Sequence, residues 1–438
     1  MTSHLQWAQH VPPGWSVKPL RAVSDYVVSN VDKVPVEGEQ AVRLCNYSDV
    51  YNNEFITQQL EFMVSTATQD EIRKFGLLVD DVIITKDSES WDDIGVPALV
   101  VETGDDLVCG YHLALLRPRA SSLSGRFLLR CLQARLLRLQ LELAANGVTR
   151  FGLPKSDIGS MQLPVPPLAI QVAIAEYLDR ETARLDALVA AKQRVLDLLG
   201  EKRKSIIATA VRRGFDTKVK VRDSGVPWLG EIPAHWEIRK VGYLSKVGNG
   251  STPERDKAAY WSDGFFPWLN SSVVNQDEVT SSDQFVSETA LRECHLPRLQ
   301  PGTVLVAITG QGKTRGQAVV LSIEATINQH MAFVAPNPKL IDSWFLRWSF
   351  YRAYDYLRSI SDDAGGTKGA LTCEDVASLR IPVPPLDEQQ AIVAQIGSET
   401  AKLHAVRGAT ERTIALLKER RGAVIAAAVT GRLDVAAA

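Results

Sequence analysis

Residues 163–216 read LPVPPLAIQVAIAEYLDRETARLDALVAAKQRVLDLLGEKRKSIIATAVRRGFD, and residues 381–434 read IPVPPLDEQQAIVAQIGSETAKLHAVRGATERTIALLKERRGAVIAAAVTGRLD. The two align without a gap at an offset of 218, and 24 of the 54 positions are identical. That is too much for two unrelated helical segments, so the chain carries one element twice. Pro164, Pro166 and Pro167 impose an extended lead-in, because proline fixes φ, lacks an N–H and disfavours helix at the residue before it. A helix starts after them. Ile174, Leu178, Leu185, Leu188, Val195, Leu199 and Ile206 step by fours and threes, with Glu181, Lys192 and Lys202 as polar breaks. Ile392, Ile396, Leu403, Val406, Leu417 and Val424 repeat the pattern with a weaker centre. Cations gather late in each copy, and Gly214 and Gly431 are natural terminators. A helix of about 40 residues is roughly 60 Å long at 1.5 Å per residue, longer than a compact domain. Its narrow apolar stripe needs a partner, and the nearest equal one is the other copy, packed antiparallel. The alternative is that each helix packs on a separate protein.

The duplication begins earlier than the helices. Trp7, Pro12, Trp15 and Lys18 recur as Trp228, Pro233, Trp236 and Arg239 at an offset of 221. Between these openings and the helices lie two segments of nearly equal length whose sequences barely resemble each other. Runs such as 81–85, 98–101, 302–308 and 318–321 are β-branched and bounded by Gly, Asp and Ser, as strands between turns are. Each segment then shows one helical stretch, 127–143 and 344–357. The expected class is α+β: two mixed, strand-rich domains alternating with two long helices packed as an antiparallel coiled coil, about an internal pseudo-two-fold.

A chain of 438 residues with 45% hydrophobic and 23% charged residues and a mean hydropathy of −0.06 describes globular domains, and no apolar run reaches membrane-spanning length. The expectation is a cytoplasmic protein with no membrane association. The five cysteines form no CxxC pair and no histidines sit at metal-ligand spacing, which points to reduced thiols and no metal. A net charge of −2 argues against simple coating of nucleic acid, yet charge is sorted. Arg117 to Lys155 holds eight cations against one acid, and Glu54 to Asp106 holds thirteen acids against three bases. The cationic run reads either as a solvated face or as an edge facing a polyanion.

Several side chains are candidates for contact with nucleic acid. Thr149 and Arg150, beside Gly147, align with Thr367 and Lys368 beside Gly365 and Gly366; a hydroxyl and a cation on flexible backbone suit a phosphate or base edge. Lys155 closes the cationic run. Residues 307–314, AITGQGKT, satisfy a relaxed phosphate-loop pattern, but the strand-like Ala318–Leu321 follows where that loop requires a helix. A hairpin displaying Gln311, Lys313, Thr314 and Arg315 is the better reading. Asn328 and Gln329 carry amides suited to adenine, with packing or turn roles as the alternative, and His330 reads as a strand or loop residue rather than a general base. No GxSxG, HExxH or amino-methyltransferase motif is present.

The order and duplication of these parts, with IPVPPLDEQ at 381–389, GVPWLGEIPAHW at 225–236 and GSTPERDKAAYW at 250–261, resemble the DNA-specificity subunit of type I restriction-modification enzymes. The resemblance covers essentially the whole chain. It implies target-recognition domains at 1–162 and 217–380 and helical spacers at 163–216 and 381–438. It implies a non-catalytic reader of a bipartite, asymmetric double-stranded DNA target, on which two methyltransferase subunits dock and which translocating endonuclease (endonuclease/translocase) subunits join. No cofactor is expected in this chain; AdoMet, ATP and magnesium are implied for the partners. The first domain lacks a clear counterpart to Gly250-Ser251-Thr252-Pro253. A nucleotide-binding enzyme and a coiled-coil scaffold without sequence readout are the competing readings.

Overall fold

The computed structural model describes residues 3–32, 34–310, 312–362 and 369–435. Contacts divide the chain into two units, Met1–Arg194 with Thr410–Ala438, and Val195–Ala409, so the cut runs through both long helices.

In the first unit, Ser16–Pro19 pairs antiparallel with Gln162–Val165 and closes the variable segment on itself beside the proline-rich turn. Inside that closure a five-stranded sheet runs Ser24–Val28, Leu113–Pro118, Val82–Thr85, Pro97–Val100, Phe55–Ile56. Only its last pair is parallel. The period-2 alternation of a strand shares the central side chains between two cores. Val82 and Ile84 pack with Phe127 and Leu128 of the helix Gly125–Gln133. Ile83 faces the other way, towards Leu44 and Val108 of a three-stranded sheet. That sheet has Gln40–Cys45 at its centre, antiparallel to Met63–Ala67 and parallel to Leu107–Cys109. Strands covered on both faces read as continuous apolar runs, which is why VIIT and PALV showed no alternation in sequence.

The second unit repeats the closing pair and both sheets in the same order; among the described residues the short pairs Asp87–Ser88 with Phe151–Gly152 and Val221–Asp223 with Glu231–Pro233 are not shared. Glu237–Lys240 pairs with Arg380–Val383. The five-stranded sheet runs Ser245–Asn249, Met331–Pro336, Val304–Ala307, Ala318–Leu321, Glu278–Val279, again with only the last pair parallel. Its three-stranded partner has Phe266–Leu269 between antiparallel Phe285–Val286 and parallel Thr326–Ile327. The duplication therefore extends through domains whose sequences barely align.

The long helices are Leu168–Arg213 and Leu386–Val429, 46 and 44 residues. In the first unit Ile174 and Leu178, from the start of one, share a core with Ile425, Ala428 and Val429 from the end of the other. In the second unit Ile207, Ala210 and Val211 meet Ile392 and Ile396. The helices thus pack antiparallel within each unit. Gly214 and Gly431 end them at φ of 67° and 72°, a left-handed turn that suits glycine. The apolar stripe is buried towards the helix ends, whereas Leu188, Val195 and Val406, near the polar breaks, are exposed.

Two details differ from expectation. The helical stretch 127–143 is broken at Ala134 into Gly125–Gln133 and Arg135–Ala144, while its counterpart is one helix, Ser343–Asp362. The cationic run 117–155 is not an open basic edge. Arg117 pairs with Asp81, Arg119 with Asp25, Arg126 and Arg130 with Asp179, and Arg135 and Arg138 with Glu142. Only Arg150 and Lys155 of that run lie on the surface outside such pairs, Lys155 with its ammonium over the Tyr26 ring. The phosphate-loop-like residues 307–314 join two antiparallel strands, Val304–Ala307 and Ala318–Leu321, and open no helix. Among the described residues no helix is long and apolar enough to cross a membrane and no cluster could hold a metal. Cys45 and Cys109 are register partners on parallel strands, and burial pushes both thiols well above their ordinary value, as it does for Cys131, which leaves them unreactive.

Candidate nucleic-acid interface

In both units the chain passes from the three-stranded sheet to the five-stranded one through a three-residue corner, Gly110-Tyr111-His112 in the first and Asn328-Gln329-His330 in the second, again at an offset of 218. The corner is tight. A Cβ on Gly110 would lie 2.7 Å from the Cys45 carbonyl oxygen, and His112 takes a left-handed φ of 72°. In the second unit Asn328 makes the turn instead: it is buried, and its side-chain oxygen accepts from the His330 N–H at 3.1 Å. Its amide oxygen is therefore committed to the backbone, the turn role that competes with two-point reading of a base.

Each histidine is held by the residue two places beyond the central strand. His112 Nε2 receives a hydrogen bond from Arg150 Nη2 at 3.0 Å. A guanidinium only donates, so Nδ1 carries the ring proton and donates to Asp87. Asp87 also accepts from Lys86 Nζ at 2.8 Å. Burial works to raise the Asp87 carboxyl, but the bonds from Lys86 and His112 prevail and hold it below the usual carboxylate value. Tyr111 lies against the His112 ring and is 42% exposed. The result is a fixed Lys86–Asp87–His112–Arg150 chain with an aromatic face beside it.

In the second unit His330 Nδ1 bonds Thr309 Oγ1 at 2.8 Å, and Thr309 stands where Asp87 stands in the first. Gln329 and His330 are exposed, and the Gln329 side-chain oxygen accepts from Thr252 Oγ1. The neighbouring hairpin tip is anchored by its backbone: Arg358 donates to the Gly312 carbonyl at 2.7 Å, and Tyr354 to that of Lys313 at 2.9 Å. The Lys313 side chain is exposed and Thr314 half-buried. Arg315 is 4% exposed, pairs with Asp362 and donates to the Gly369 carbonyl, so it fastens the hairpin to the helix Ser343–Asp362 and presents no donor to a ligand at the surface. Thr149 is exposed beside Arg150. Gln311, Thr367 and Lys368 lie outside the described residues.

Residue-level reading of the sequence named Arg150, Gln329 and Lys313 but not Lys86, Asp87, Tyr111 and His112, which the fold brings together with Arg150. A signal existed: the helical offset of 218 continues backwards through Pro118 and Pro336 to His112 and His330.

A family model described as "Type I restriction modification DNA specificity domain" matches residues 43–197 and again 233–402, most of the chain and both halves of the duplicated frame. The chain belongs to that family. The putative MjaX specificity subunit of Methanocaldococcus jannaschii is 20% identical over 389 residues, 88% of this chain and 87% of its own. The EcoKI specificity subunit of Escherichia coli K12 is 22% identical over 97% of this chain and 90% of its own. The crystal structure of the HsdS subunit from Thermoanaerobacter tengcongensis superposes with a TM-score of 0.57 at 18% identity, covering 97% of this chain and 98% of that one, which extends the likeness to the fold. A chain from a structural study of complex assembly in a type I restriction-modification system superposes at 0.67 and 19% identity, with 97% and 100% covered. This specificity-family fold is the frame on which the two histidine corners sit.

Proposed function

We propose that the chain is the non-catalytic DNA-reading subunit of a type I restriction-modification complex, in which each unit reads one half of a bipartite, asymmetric target in double-stranded DNA. One observation carries this reading. The same fold position holds a histidine corner in both units, and what surrounds it differs: Tyr111, Asp87 and Arg150 in one, Gln329, Thr309 and Thr252 in the other. One scaffold with unlike side chains at the reading position is what two unlike half-sites require. In this reading Arg150, held by His112, and Tyr111 address one half-site, with Thr149 and Lys155 adding donors beside them, and Gln329, His330, Lys313 and Thr314 address the other; Gln311, Thr367 and Lys368 are further candidate contacts. Arg, Gln and His present hydrogen-bonding groups that pair with base edges in the major groove, and Lys313 and Lys155 suit phosphates. Two methyltransferase subunits dock on this chain, and translocating endonuclease subunits join them. AdoMet, ATP and magnesium serve those partners.

The test is sequencing of methylated DNA from cells carrying the chain with its methyltransferase. Two short specific blocks separated by an unspecific gap are expected, and a single continuous block would refute the reading. Arg150→Ala and Gln329→Ala should each relax one half-site and leave the other, at about 1–3 kcal/mol of discrimination per contacted base. Lys313→Ala should weaken binding evenly across sequences and reduce the salt slope by about one.

A further inference from the structure

Each unit buries an arginine from the helix that covers the five-stranded sheet, beside an acid placed just before the parallel edge strand and an arginine from a long helix. In the first unit these are Arg130, Glu54 and Arg421, and carboxylates meet both arginines. Arg130 is 1% exposed and every nitrogen is occupied: Nε by Asp179 at 3.2 Å, Nη1 by Glu54 and Gln133 at 2.7 Å each, Nη2 by Asp179 at 2.5 Å. Arg421 bonds Glu54 at 2.8 Å and Asp186 at 3.1 Å. Two arginines thus share three carboxylates.

In the second unit the equivalents are Arg347, Asp277 and Arg203. Arg347 rises from the fifth residue after Asp342 where Arg130 rises from the sixth after Ser124, and Arg203 is Arg421 displaced by 218. Here one carboxylate serves both cations. Arg347 Nη2 and Arg203 Nη2 bond the two oxygens of Asp277. Gly397 and His404 stand where the repeat has Asp179 and Asp186. Arg347 is 4% exposed, and its Nε and Nη1, like Arg203 Nε, are buried without a hydrogen-bond partner. Beside them lies a cavity of about 590 Å³; the first unit has one of about 550 Å³ beside Arg130, but Asp179, Asp186 and Glu54 line that one. Lys204, Lys313 and Arg352 also line it, so five cations with Arg203 and Arg347 face only Asp277 and Asp355.

We infer that this cavity is a binding site for a small phosphate-class oxyanion, of the size of phosphate or diphosphate, which supplies the counter-charge that Asp179 and Asp186 supply in the first unit. Guanidinium forks match tetrahedral oxyanions, and a buried donor without a partner is costly to leave unmet. The cavity is large enough for such a ligand. A duplex holds its phosphates on the outside of a rod and reaches exposed lysines, whereas Arg347 is accessible only to an anion that enters. The site is separate from the reading of bases and does not depend on it, although Lys313 borders both.

The test is calorimetric titration of the full-length chain at low salt with inorganic phosphate and with diphosphate. One diphosphate per chain is expected. Arg347→Met should weaken it at least tenfold, and Ala208→Glu, which sets a carboxylate on the cavity wall from the long helix, should do the same while the chain stays folded. Should Arg347→Met fail to fold, Ala208→Glu carries the comparison alone. Absence of heat with either anion overturns the inference, as does equal affinity in wild type and Ala208→Glu. A chain that ignores both free anions but whose DNA salt slope falls in Ala208→Glu also overturns it, because the phosphate would then belong to the duplex. The methylation pattern decides the reading function separately.

Discussion

Gly250 shows how one residue adapts a shared frame to a particular domain. An added Cβ there would lie 1.8 Å from the Ile327 carbonyl oxygen, a backbone atom that cannot swing aside. In the first unit the matching position is Ser29, whose hydroxyl donates to the Cys109 carbonyl at 2.5 Å. Both positions therefore address the carbonyl that precedes the histidine corner, one by close backbone approach and the other by a side chain. The apparent lack of a Gly-Ser-Thr-Pro counterpart in the first domain is this exchange: Ser29-Asn30-Val31 occupies the place of Gly250-Ser251-Thr252. Gly250→Ala should destabilise the chain by about 2 kcal/mol or more, since the strand Ser245–Asn249 must move off Ile327. Ser29→Gly removes two buried hydrogen bonds, one to the Cys109 carbonyl and one from the Val31 N–H at 3.2 Å, and should cost about 2 kcal/mol. Urea midpoints followed by tryptophan fluorescence compare the two; an equal, small loss in both would show that the corner tolerates a wider separation.

At the scale of elements, the long helices are tied to the domains by one repeated glutamine. Gln171 is buried and accepts from Ser124 N at 2.9 Å while donating to the carbonyls of Ser122 and Pro166 at 2.9 Å each. Gln389 does the same with Asp342 N, Leu340 and Pro384 at 2.8, 3.1 and 2.9 Å. One side chain thus fixes the proline turn, the first turn of the long helix and the start of the helix covering the sheet. Truncation leaves buried backbone groups unmet, so Gln171→Ala and Gln389→Ala should each cost about 3 kcal/mol by urea denaturation, whereas Gln390→Ala, one residue on and exposed, should change little. The glutamine was legible in the sequence as part of the PPL repeat, and so were both helices and their terminating glycines, because proline, glycine and a heptad stripe act locally. The shared sheet topology was not legible. Strand pairing is non-local, doubly buried strands lose their alternation, and loop insertions move the offset from 218 at His112 and His330 to 222 between Val82–Thr85 and Val304–Ala307. The candidate site suffered for the same reason. Lys86 and Asp87 stand far in sequence from Arg150, and nothing short of the fold joins them through His112. The cationic run misled because its partners, Asp25, Asp81 and Asp179, lie outside it.

For the whole molecule, a net charge of −2 means that diffuse attraction to DNA is weak and that affinity has to come from placed groups. Placed groups in turn need a domain that keeps its geometry when its surroundings change. The first unit meets this requirement through its closure: Ser16 is in register with Val165 and Pro19 with Gln162, so the variable segment leaves and rejoins the frame through one antiparallel pair. Residues 12–162 can therefore be exchanged for the corresponding segment of another member of the family with few new junctions. The exchanged chain, expressed with its methyltransferase, should methylate a target in which one half-site is replaced while the other half-site and the gap are kept. Sequencing of methylated DNA reads all three at once. If both half-sites change, base reading is not confined within each closed segment. If the gap changes while the long helices are untouched, spacing is set inside the domains and not by the helices.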